Sequence, residues 1–181
     1  MGAIKNTKLT ALGGIITALT AFFFFFSGTI PFMTYVFPAI AGALIIPFTA
    51  ENENKWAFLV YAASSVISAL TCPDKEPAIL YITFFGWYVI FRSFAEKKLP
   101  YVLGLICKLA VFNASFIASY MLIIYVFALP FDTSADLGKY TNLILLAAGN
   151  VIFILYDAVL GSFILLFKKK YDKKFDNFFK D

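Results

Sequence analysis

The chain has 181 residues, 61% hydrophobic and 14% charged, with no histidine and a formal net charge of +4. Soluble domains carry about 25% charged residues, and apolar runs of bilayer-spanning length recur here, so the composition excludes a water-soluble globule and points to an all-α integral membrane bundle. Twelve of the fifteen Lys/Arg fall on one side of the predicted spans, so the basic surplus orients the chain rather than binding nucleic acid.

The first predicted helix, about residues 8–27, follows Lys5 and Lys8 and sorts its residues by size. At about 100° per residue, Thr10, Gly13, Gly14, Thr17, Ala18 and Ala21 share an arc of roughly 140°. Leucine, isoleucine and phenylalanine take the rest. In lipid, hydrophobicity no longer drives helix association, and a smooth face of this kind invites close approach by another helix. The apolar run exceeds the about 7–15 residues of a signal-peptide core and no Ala-x-Ala precedes Gly28, so it reads as a retained span.

Ser27-Gly28-Thr29-Ile30-Pro31 signals a turn. The second helix, about 32–49, holds Pro38 and Pro47, with a kink or a late start expected at Pro38. Glu51 to Lys55 forms an inner loop. The third helix, about 56–72, opens on Trp56 and aligns Ala62, Ser65, Ala69 and Cys72 on a second small face. A tight outer loop leads to a fourth helix of only about fifteen residues, 77–91, roughly 23 Å long, which Arg92 would extend by snorkelling. The fifth, about 100–127, begins at Pro100, a favoured first-turn residue. An outer loop with Asp132 and Asp136 precedes the sixth, about 139–167, and a lysine tail follows. With Lys75 and Lys139 outside and Lys108 within a helix, the tally predicts one six-helix domain, 1–181, with both termini in the cytoplasm.

Lys108 and Asp157 are charges inside apolar helices. Each lies roughly 15–16 Å from the inner end of its helix, and consecutive antiparallel helices would let them meet. Either alone would cost about 2.5–3.5 kcal/mol, and pairing reduces that cost. The pair is read either as a bridge fixing the register of helices 5 and 6 or as a polar floor beneath a ligand site. Asn113 and Asn150 also fall at comparable depths, either bonding across the helices or lining a pocket with aromatic residues such as Tyr35 and Tyr81. Trp56, Trp87, Tyr88, Tyr101 and Tyr140 fit interfacial belts. Cys72 and Cys107 lie at different depths, which argues against a bridge.

Catalytic constellations are missing. There is no histidine base, no His-Glu-x-x-His, no Gly-x-Ser-x-Gly and no phosphate-cradling glycine loop. A non-enzyme without cofactor or metal is expected, and uphill movement of a solute would need energy from a partner.

Six short helices in about 180 residues, with a small-residue first helix, resemble the substrate-binding S component of energy-coupling factor transporters. The resemblance implies capture of a vitamin or similar micronutrient from outside, with a transmembrane coupling subunit and two cytoplasmic ATPases driving uptake. In that family alanine-x-x-x-alanine motifs on the first helix dock the coupling subunit. The nearest equivalents here are Gly14-x-x-x-Ala18 and Thr17-x-x-x-Ala21, which with Thr10 make the expected docking face. The alternative is a non-transport scaffold of the cell envelope, such as a shape-determining, MreD-like protein, using the same face and polar pairs for assembly.

Overall fold

A computed structural model of the protein describes residues 2–27, 33–123 and 141–180. Backbone groups in lipid must be bonded within their own segment, so a chain this apolar forms helices. In order these are α1 (Gly2–Ser27), α2 (Met33–Ala43), α3 (Ile46–Ala50), α4 (Asn54–Thr71), α5 (Lys75–Leu80), α6 (Gly86–Lys98), α7 (Tyr101–Met121) and α8 (Thr141–Lys180). A wide π turn, Tyr81–Phe85, joins α5 to α6 without a break. No strand occurs among the described residues. The fold is an all-α membrane bundle.

Among the described residues five stretches are long and apolar enough to cross a bilayer: Lys5–Ser27, Met33–Ala50, Lys75–Lys98, Tyr101–Met121 and Leu146–Lys170. α4 is more polar, yet it covers the same thickness as α1. Lys5 Nζ meets Glu53 Oε1 at 2.6 Å at one end, and Ser27 Oγ lies 3.2 Å from Cys72 Sγ at the other. The two helices therefore run parallel over their full length. Lys97 bonds Asn52 at the same end as Lys5, so the loop after α3 and the end of α6 share one surface.

The α1–α4 seam is close because Gly13 permits it. A Cβ there would stand 2.9 Å from Val60 Cγ2. Leu9, Ile16, Ile45, Phe48, Ala57 and Val60 fill the core on either side. A second core joins α3, the π turn, α6 and α8 through Ile46, Phe84, Tyr88, Val89, Phe153 and Leu160, with Leu109 and Phe112 of α7 packed against it. A third gathers Phe24, Ala41, Cys72, Ala78 and Tyr81 toward the end opposite Lys5 and Lys97.

Several expected boundaries change. The second helix breaks at Leu44–Ile45 rather than kinking at Pro38, which is buried inside α2. Pro47 is the cause: its missing N–H leaves the Ala43 carbonyl without its helical donor, and it sits instead in the first turn of α3. The fourth span is Lys75–Lys98, not 77–91, so it needs no snorkelling extension. Its π turn leaves carbonyls to be satisfied from the side; Tyr61 Oη donates to Ile82 O and Trp87 Nε1 to Thr83 O, both at 2.7 Å. The sixth helix continues past residue 167 to Lys180. α4 turns Ala57, Val60, Ser64 and Ser68 inward; of the expected line Ala62, Ser65, Ala69 and Cys72, Cys72 is buried, Ala62 and Ser65 are half-buried and Ala69 is exposed. The outer loop with Asp132 and Asp136, and Tyr140, lie outside the described residues.

Candidate functional site

Lys108 and Asp157 meet, but as half of a larger cluster. Lys108 Nζ lies 3.0 Å from Asp157 Oδ2 and 3.1 Å from Glu96 Oε1. Arg92 places Nε 2.7 Å from Asp157 Oδ1 and Nη2 2.7 Å from Glu96 Oε1. Tyr88 Oη donates to the same Asp157 Oδ1 at 2.6 Å. Two cations thus face two carboxylates, and the formal charges cancel. Arg92 is only 6% exposed and Lys108 7%, so neither reaches water as an isolated charge. Glu96, with 44% of its side chain exposed, carries the cluster to the surface at the lysine-rich end.

Arg92 is therefore not a snorkelling residue. Its guanidinium lies against α8 where Gly161 leaves room; a Cβ at Gly161 would stand 2.7 Å from Nη2. Tyr88 leaves the expected aromatic belt as well, because it is fully buried and bonded to Asp157. The sequence holds a signal for this cluster: Tyr88, Arg92 and Glu96 recur every four residues and form one line along α6.

Asn113 and Asn150 pair reciprocally. Each amide nitrogen donates to the other's carbonyl oxygen, at 2.9 and 3.0 Å, and to the carbonyl four residues back, Leu109 O and Leu146 O, both at 2.8 Å. All four amide protons are thereby used. From Lys108 to Asn113 α7 advances five residues while α8 retreats seven from Asp157 to Asn150, the register of an antiparallel pair. Between the two polar levels Phe112 stacks on Phe153 with ring centres 4.7 Å apart, and Phe84 meets both edge-on. Among the described residues these rings fill the space between the two polar levels.

Tyr35 and Tyr81 separate. Tyr81 is fully buried and shares a 2.7 Å hydrogen bond with Ser64 Oγ. Tyr35 stands at the end opposite Lys5 and Lys97 and donates to Glu76 Oε1 at 3.0 Å. It borders a half-open recess of about 40 Å³ between α2, α5 and α7, with Glu76, Leu80, Phe116, Ser119 and Ile123 among the other lining residues. The four expected pocket residues therefore do not converge: Asn113 and Asn150 bond each other, Tyr81 is in the core, and Tyr35 alone borders the recess. Glu76 also borders it and was not singled out from the sequence, because an acid at the start of a helix reads as complementing the dipole.

The small arc of α1 is divided by the bundle. Gly13 and Thr17 turn inward beside Ile16 and Thr20, so Thr17 leaves the expected docking face because the protein's own helices cover it. Thr10, Gly14 and Ala18 remain exposed, with Ala21 at the edge. A Cβ added at Gly14 would meet nothing within 4 Å. Among the described residues no group of three or more His, Cys, Asp or Glu could hold a metal ion. No protein-family model, curated protein or solved structure matches the chain.

Proposed function

We propose that the protein is the membrane-embedded binding subunit of an uptake transporter, taking a small solute at the lysine-poor end and drawing energy from a coupling subunit and cytoplasmic ATPases in trans. The observation that carries this reading is the uncovered line Thr10, Gly14, Ala18. Glycine inside a helix costs about 1 kcal/mol against alanine. Gly13 offsets that cost through the close approach of α4, whereas Gly14 gains nothing within the chain. In lipid a small residue is useful where a second helix comes close. The lysine-rich end would be cytoplasmic, and the recess beside Tyr35 and Glu76 would then open outward.

The scaffold reading is favoured by a different observation, the complete internal satisfaction of the Asn113–Asn150 pair and the charge cluster. Purification of the intact assembly from its own membranes, followed by native mass spectrometry, separates the two. The transport reading expects a membrane partner with two ATPases and a bound solute. Recovery with cell-envelope proteins and no ATPase would replace it with the scaffold.

A further inference from the structure

We infer that the recess between α2, α5 and α7 receives the ammonium group of a small organic amine, with Glu76 as its counter-ion. This names the solute class and rests on the binding-subunit reading. Glu76 Oε1 accepts one hydrogen bond, from Tyr35, and among the described residues no cation pairs with the carboxylate. The adjacent Lys75 is committed elsewhere; its Nζ donates to Ala69 O at 3.1 Å and Cys72 O at 3.0 Å, closing the C-terminal end of α4. Asp74 is also engaged, accepting from the Glu76 backbone N–H at 3.1 Å. A net negative charge is thus left facing a recess whose other walls are largely apolar.

The wall chemistry selects among cations. Leu80 and Ile123 line it with aliphatic groups and Phe116, Tyr35 and Tyr120 with aromatic rings, and an aromatic face attracts an organic ammonium. A divalent metal would need six or more oxygens, and one carboxylate with the three hydroxyls of Tyr35, Ser119 and Tyr120 falls short. The carboxylate repels anions. About 40 Å³ is room for roughly three waters by the usual minimum per water, which suits an alkylammonium head and its first carbons, not a fused-ring molecule. The position also fits a site: Leu80 directly precedes the π turn, a distortion that recurs where helices carry function. Ser119, bonded to Thr83 Oγ1 at 2.6 Å, ties α7 to that turn.

The test uses the full-length protein in lipid nanodiscs at about pH 7, titrated with n-butylamine, n-butanol and butyrate while thermal unfolding is followed. Butylamine alone should raise the unfolding temperature. Glu76→Gln should weaken its apparent affinity about tenfold or more, and Tyr35→Phe should weaken it by a smaller factor. Equal stabilisation by butanol, or unchanged amine affinity in Glu76→Gln, overturns the inference. If Glu76→Gln does not fold, Phe116→Ala decides: weaker amine binding supports the site, and unchanged binding overturns it. Amine binding without any ATPase-containing assembly would keep the site and remove the transport reading; the assembly without amine binding would remove the site alone.

Discussion

Asp157 accepts from three donors on two other helices, Tyr88 and Arg92 on α6 and Lys108 on α7, and so pins α8 to both. Its partners are not equivalent. Both cations also reach Glu96, but Arg92 Nε shares Asp157 Oδ1 with Tyr88 while Lys108 takes Oδ2 alone. Asp157→Asn leaves a buried guanidinium and ammonium with one surface carboxylate between them and should cost about 3–5 kcal/mol. Lys108→Ala leaves Asp157 bonded to Arg92 and Tyr88 and should cost no more than about 2 kcal/mol. Unfolding of both variants in the same detergent checks the order; equal loss would mean that Asp157 is not the hub. The Lys108–Asp157 contact was legible because depth along two consecutive helices can be counted from their ends. Arg92 was not, because a long cation two turns from a helix end can reach either the interface or an interior acid, and only the packing decides which.

At the scale of elements, α1 carries two adjacent glycines with opposite surroundings. Gly13 faces Val60 across the seam with α4, and Gly14 faces away from the chain. Gly13→Leu should destabilise the bundle by about 1–3 kcal/mol through overpacking, while Gly14→Leu should unfold at the native temperature. Unfolding of the two purified variants tests this, and equal destabilisation would show that the α1 faces are misassigned. Helix number, order and charge asymmetry could be read from hydropathy and lysine placement. The inward face of α1 could not, because a helix small on 140° of its circumference can present either edge to its neighbours. The π turn was equally hidden: one wide turn leaves the hydropathy of Lys75–Lys98 unchanged, and its stabilisers, Tyr61 and Trp87, read as ordinary aromatics. Pro47 was visible, but Pro38 competed with it as the breaking point until packing placed Pro38 inside α2.

Across the whole molecule, polarity is graded from one end to the other. Lys5, Lys97 and the Glu96 edge of the charge cluster mark one surface, and Asp74, Glu76 and Tyr35 mark the opposite one. Between them the charge cluster and the Asn113–Asn150 pair are satisfied by groups of the bundle itself, and α1 turns the small residues Thr10, Gly14 and Ala18 outward. The direct measurement is thiol-specific photo-crosslinking in native membranes, with Gly14→Cys compared with the lipid-exposed control Leu166→Cys, both in a background where Cys72 and Cys107 are replaced. The account expects one discrete protein adduct at position 14 and only lipid adducts at position 166. The same lipid-only pattern at both positions would contradict it.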